Sequence, residues 1–223
     1  MSRVNFGLWY DFRNPRPRVP AFEEFYADTL EQIVAAEAMG YDSVWLTEHH
    51  FCDDGYTPSP LVIAGAIGAS TRRLRLGTNL IILPLHDPIR IAEDAATLAI
   101  LTRGRFDLGV AIGYRAAEFE AFGRSLSHRP SLLEESVEII RRAWSGNAVD
   151  FHGKRFHYGD IRVTPTPASP PRILIGGMTE PAIDRVARIG DGFLSTGGLG
   201  HDLYAQALAR QGRADEGRIF AGH

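Results

Sequence analysis

A single cysteine, Cys52, and a single lysine, Lys154, are the scarcest functional groups among 223 residues. One thiol cannot close an internal disulfide, so stability must come from an apolar core, and a reducing cytoplasm is the expected compartment. One lysine, lying in a loop-like stretch, leaves no amine at a strand end for Schiff-base chemistry and argues against an aldolase-like or isomerase-like barrel. Apolar runs such as Leu80 to Leu85 fall far short of the roughly 20 residues of a membrane-spanning helix. The opening, MSRVNFGLWYDF, lacks the apolar core and small-residue cleavage site of a secretory signal. Neither charge sign is concentrated, with 24 basic and 27 acidic residues, so no nucleic acid or membrane is expected as a partner. G-x-G-x-x-G, a P-loop lysine and G-x-S-x-G are also missing, which excludes nucleotide folds of those types and a hydrolase elbow.

What is present is regular alternation of strand-like and helix-like segments, the pattern of a parallel β/α fold. Strands are expected at Val4–Tyr10, Ser43–Thr47, Leu74–Leu83, Arg105–Ile112, Arg172–Ile175, Gly192–Thr196 and Arg218–Ala221. Helices are expected at Ala21–Met39, Leu61–Ser70, from Pro88 to Leu101 behind an Asp87 cap, around Leu133–Trp144, at Glu180–Ile189 and around Leu203–Arg210. A Pro/Arg-rich loop runs from Asn14 to Pro20, and a polar, aromatic excursion at about 147–171 reads as a surface insertion. Three helix-to-strand joints carry a glycine, Gly40, Gly104 and Gly190, where a left-handed cap would turn the chain. Length suits one domain over 1–223, a little short of the ~250 residues of an eight-stranded barrel.

In such folds ligands bind beyond the carboxyl ends of the strands. On the strand ending WLTEHHF, alternation puts Val44 and Leu46 outward and Trp45, Thr47 and His49 inward, so His49 is the better site candidate. His50 divides evenly between structural and functional roles. A metal reading of Glu48, His49 and His50 is not favoured, because adjacent histidines diverge on a strand and no second cluster has ligand spacing. In RFDLGVAIG the apolar face is Phe106, Leu108, Val110 and Ile112. Asp107, Gly109, Ala111 and Gly113 on the other face either leave room for a planar ligand or relieve crowding, and spacing does not separate the two. In RILIGGMTEPAIDR, the run Gly176, Gly177, Met178, Thr179 opens a helix and could receive a phosphate on its amides. A Cys52/His nucleophile is conceivable but unsupported.

Together the segments FGLWYDF, GYDSVWLTEHHF, LRLGTNLIILPLHDPIRIAEDAATL, GRFDLGVAIGYRAAEFEAFG and IGGMTEPAIDRVARIGDGF resemble the bacterial luciferase-like family of flavin-dependent monooxygenases. The resemblance covers nearly the whole chain. It implies a TIM-type β/α barrel, here truncated after about the seventh strand. It also implies a monooxygenase using reduced FMN and dioxygen on a small organic substrate, with a flavin reductase as a supplying partner. His49 maps to the family's catalytic histidine, and an imidazole, which changes charge near neutrality, suits that proton transfer. The family's non-prolyl cis bond maps to Asn79-Leu80, and its phosphate region to Gly177, Met178 and Thr179. Ala111 stands where the luciferase catalytic subunit has a reactive cysteine, and Ile112 where it has a phosphate-binding arginine, with Arg115 as a substitute. Light emission is therefore not implied. Related members use a deazaflavin coenzyme for hydride transfer, which is the alternative reading. A non-catalytic flavin-binding or partner subunit is another. A barrel without its closing strand would expose strand edges, so either the chain is a fragment or another chain covers the gap, and a homo-oligomer is expected.

Overall fold

A computed structural model describes residues 4–15 and 21–222. Residues 16–20 of the Pro/Arg-rich loop, and residues 1–3 of the opening segment, lie outside the described residues. The chain runs β1 (Gly7–Tyr10), α1 (Phe22–Met39), β2 (Ser43–Leu46), α2 (Pro60–Ser70), β3 (Arg75–Thr78), the two-residue β4 (Ile81–Ile82) and α3 (Pro88–Leu101). It continues through β5 (Phe106–Ala111), the short α4 (Ala116–Ala121) and α5 (Arg129–Trp144). A hairpin of β6 (Val149–His152) and β7 (His157–Ile161) precedes β8 (Ile173–Gly176), α6 (Glu180–Ile189), β9 (Gly192–Thr196), α7 (His201–Arg210) and β10 (Ile219–Gly222). The main sheet is parallel, in the order β1-β2-β3-β5-β8-β9-β10, with β4 paired to the end of β5. This is the expected truncated β/α barrel, an open parallel sheet whose strand order follows chain order and in which, among the described residues, β1 and β10 are not paired. Among the described residues no helix is long and apolar enough to cross a membrane.

Alternation predicts the two faces of β2 and β5 well. Val44, Leu46, Phe106, Leu108 and Val110 are buried in one core with Ile33 of α1, Ile67 of α2 and Ile91 and Ala95 of α3. Trp45 lies on the opposite face. A Cβ at Gly77, its partner in β3, would stand 2.2 Å from its ring, and one at Gly7 in β1 would stand 3.1 Å from Nε1. Trp45 Nε1–H donates to Ser43 Oγ at 3.0 Å, and its ring meets Phe220 of β10 at 5.5 Å between centroids. On that face too, Asp107, 1% exposed, accepts from Arg75 Nη2 and Nε at 2.8 and 3.1 Å and from Arg172 Nε and Nη2 at 2.8 and 2.5 Å. One carboxylate thus ties β3, β5 and β8 together.

Several local expectations change. The strand expected over Leu74–Leu83 is two strands, divided at the cis Asn79-Leu80 peptide and followed by a 3₁₀ turn at Leu83–Leu85. Where β3 leaves β5, Thr78 Oγ1 replaces the ladder, donating to Gly109 O at 2.7 Å and accepting from Gly109 N–H at 2.9 Å. A Cβ at Gly109 would lie 1.8 Å from the Thr78 carbonyl oxygen. Crowding, not room for a ligand, therefore explains that glycine. Gly40 and Gly104 adopt the left-handed conformation, at φ +95° and +77°, but Gly190 is extended at φ −92°. Gly190 is needed instead for close approach, since a Cβ there would sit 2.8 Å from the Val186 carbonyl oxygen.

The excursion contains the β6–β7 hairpin. Val149, Phe151 and Phe156 are buried in the main core, and Glu135 of α5 accepts the amides of Lys154, Arg155 and Phe156 at 2.9, 2.9 and 3.1 Å. The alternation V-D-F-H was available in the sequence but is obscured by the surrounding glycine and proline. Asp87 caps α3 as expected, accepting from the amides of Ile89 and Arg90 at 2.9 and 3.2 Å, and its other oxygen accepts the Tyr158 hydroxyl of β7 at 2.8 Å. Asp87→Ala should therefore cost about 1–2 kcal/mol in urea unfolding, a lost cap plus a lost tether.

Candidate active site

The carboxyl ends of β2 and β5 converge on one carboxylate. After β5, Gly113 turns the chain at φ +70° into α4, which carries Glu118, buried to 0% exposure. Its Oε1 accepts the His50 amide at 2.9 Å, Arg115 Nη1–H at 2.9 Å and His49 Nδ1–H at 2.9 Å. Its Oε2 is buried with no hydrogen-bond partner. A carboxylate on Nδ1 fixes the proton there, so the neutral ring presents Nε2 as an acceptor. His49 is held edge-on between the rings of Tyr56 and Tyr114, at 4.8 and 5.6 Å between centroids, and Nε2 lies 3.4 Å from the Tyr114 hydroxyl. The imidazole side chain is 17% exposed, open enough to meet a small molecule and closed enough to hold one tautomer. The arrangement is a histidine–carboxylate pair able to take or give one proton at Nε2.

Arg115, read as a substitute phosphate ligand, instead bonds Glu118, the His50 carbonyl at 3.1 Å and Cys52 Sγ at 3.1 Å. The remaining expected positions form a second group. Asn79, half-buried, donates its amide to Leu46 O at 2.6 Å. Ala111 ends β5 and Gly176 ends β8, and a Cβ at Gly176 would be 2.7 Å from Leu80 Cδ2 and 3.5 Å from the Ala111 Cβ. Leu80, Ala111 and Gly176 are thus neighbours, joined by the chain to Gly177 and to the exposed Met178 and Thr179. Thr179 precedes α6 but its side chain makes no cap bond, so the first-turn amides of α6 have no side-chain partner.

On the other flank of β2, Glu48 is buried beside His50 and His86. Its Oε2 accepts the Ile82 amide at 2.5 Å, and its Oε1 accepts His86 Nε2–H at 2.8 Å, with His50 Nε2 at 3.5 Å. Burial pushes the Glu48 carboxyl up, but the two imidazoles and the amide pull it further down, to about 2. Burial also pushes His86 down, and its bond to Glu48 outweighs that and raises it. Glu118, Tyr114, Tyr56 and His86 were not singled out from the sequence. Glu118 lies 69 residues from His49, and only its place just beyond a strand end could have marked it.

A parallel β/α fold with a histidine–carboxylate pair and an uncapped helix start at its strand ends is the architecture of a β/α barrel whose candidate site lies at the carboxyl ends of the strands. More narrowly, the chain belongs to the luciferase-like monooxygenase family, whose sequence model matches residues 4–220. It is 35% identical over 195 residues to the F420-dependent glucose-6-phosphate dehydrogenase of Nakamurella multipartita, covering 83% of this chain and 57% of the relative. The chain thus spans just over half the length of the curated relatives it matches. Among solved structures it is similar to the monooxygenase RslO1 from Streptomyces bottropensis, with a TM-score of 0.85, 26% identity and coverage of 94% of this chain and 67% of that one. An F420-dependent secondary alcohol dehydrogenase in complex with an F420-acetone adduct shares the fold at a TM-score of 0.85 and 20% identity, over 99% of this chain and 68% of that one.

Proposed function

We propose that this chain carries the site of a deazaflavin-dependent dehydrogenase acting on a hydroxyl-bearing small molecule. That is the alternative from the sequence rather than its leading reading. The observation that carries it is the His49–Glu118 pair, with Nε2 turned from the carboxylate towards the Tyr114 hydroxyl. The identity to curated F420-dependent dehydrogenases supports the choice of coenzyme.

The residues present fit such a coenzyme. Ala111 and Gly176 keep the strand ends free of large side chains, and the start of α6 at Gly177, Met178 and Thr179 offers amides and the positive end of a helix dipole to a phosphate. When bound, the coenzyme supplies the hydride acceptor. His49 Nε2 takes the hydroxyl proton as the substrate C–H pair departs and the carbonyl forms, and Glu118 stabilises the resulting imidazolium. Tyr114 and Tyr56 flank the ring and orient it.

Purified protein titrated with the deazaflavin and with reduced FMN should bind the deazaflavin at least about tenfold more tightly, ~1.4 kcal/mol. Glucose 6-phosphate, the substrate class named for those relatives, should then bleach the oxidised coenzyme. The second reading, an FMN-dependent monooxygenase with a flavin reductase partner, is favoured by the likeness to RslO1. Tight binding of reduced FMN alone, with oxygen uptake on adding substrate, would establish it in place of the first.

A further inference from the structure

The tripeptide Glu48-His49-His50 divides between two flanks of β2. His49 meets Glu118, while Glu48 and His50 meet His86, which sits just before α3. We propose that Glu48, His50 and His86 form a binding site for a divalent transition ion of the zinc type, independent of the cofactor and of the proton-transfer pair.

The three donor atoms all lie within 4.8 Å of one another, with Glu48 Oε1 at 2.8 Å from His86 Nε2 and 3.5 Å from His50 Nε2. A tetrahedral ion with bonds of about 2.0–2.2 Å keeps its ligand atoms about 3.4 Å apart, so small side-chain shifts suffice. His50 supplies the second, independent observation. It is 8% exposed, and its Nε2 is buried with no hydrogen-bond partner while facing Glu48. A buried polar nitrogen whose nearest partner, Glu48 Oε1, stands at 3.5 Å outside good hydrogen-bond geometry is costly and uncommon, and an ion on its lone pair satisfies it.

Two imidazole nitrogens and one carboxylate suit zinc and its neighbours, not calcium or magnesium, which take oxygen ligands. The Ile82 amide holds the other Glu48 oxygen at 2.5 Å and fixes the carboxylate's orientation, as outer partners of metal ligands do. His86, with its side chain 28% exposed, provides the way in and leaves a fourth position to water. An ion there would brace the end of β2 against the segment that follows β4, on the flank away from His49.

The test uses protein stripped with a chelator, then titrated with Zn²⁺ against a chromophoric competitor and with Co²⁺ followed by visible absorption. One equivalent of Zn²⁺ should bind, and Co²⁺ should give the intense absorption of a four-coordinate site. His86→Ala, at a partly exposed position whose folding is checked by circular dichroism, should weaken both by at least about tenfold. His49→Ala should leave both unchanged, as should His152→Ala, which removes the exposed hairpin imidazole near Asp150 and His157. Absence of stoichiometric binding overturns the site. So does affinity that survives His86→Ala or disappears with His49→Ala or His152→Ala.

Discussion

Replacing His49 with alanine should lower turnover by about 10²- to 10⁴-fold, the usual range for a lost general acid or base, while the coenzyme dissociation constant moves little. The geometry separates these effects. Nε2 lies beside the exposed Tyr114 and Nδ1 is held by Glu118, whereas the first-turn amides offered to a phosphate belong to α6. Glu118→Gln should lower turnover as well, by about 10²-fold or more, because an amide can orient the ring but cannot stabilise its cation. The substituted side chain would keep one acceptor oxygen where Oε1 now takes three donors, so the fold should persist. Since the two residues act as one unit, the double variant should be scarcely slower than the worse single one. Steady-state rates with either coenzyme, beside binding titrations, check all three. Undiminished turnover in His49→Ala would remove the pair from the chemistry.

The largest expected loss of stability lies at the opposite end of the sheet, where β3, β5 and β8 begin. Asp107→Ala strips the shared carboxylate from Arg75 and Arg172, leaving two guanidinium groups facing each other inside the fold. Breaking a buried pair typically costs about 3–5 kcal/mol. The arginine side chains are 41% and 28% exposed and can partly rehydrate, which places the expected loss near about 3 kcal/mol. For a chain of this size that lowers Tm by about 6–12 °C. Arg75→Met should cost much less, because Arg172 still holds both carboxylate oxygens. Calorimetry on the two variants distinguishes a shared clamp from two separate surface ion pairs.

Much of the fold was readable from residue periodicity because β2 and β5 obey strict alternation, with Val44, Leu46, Phe106, Leu108 and Val110 all buried on one side. Periodicity did not mark the break between β3 and β4, but the family resemblance placed a cis peptide at Asn79-Leu80, where the structure has it, just before the apolar run that begins at Leu80. Gly190 shows the limit of reading glycines by position. The same helix–glycine–strand grammar as Gly40 hides a different reason, contact with the Val186 carbonyl. At the site, strand parity singled out His49, but its partner sits on α4, a six-residue helix too short to show a period. His86 escaped for a related reason, since only folding brings it beside Glu48, 38 residues earlier.

The strand order has a consequence for synthesis. Because each new strand of the main path joins the edge formed by its predecessor, no pair already made need reopen to admit a later one. A chain emerging from the ribosome can therefore add β1, β2, β3, β5, β8, β9 and β10 in turn, with the outer edge of β1 left in place and only one further edge, the growing one, unsatisfied at any moment. The Trp45–Phe220 contact forms only when β10 arrives and its ring closes over an indole that has been in place since the second strand.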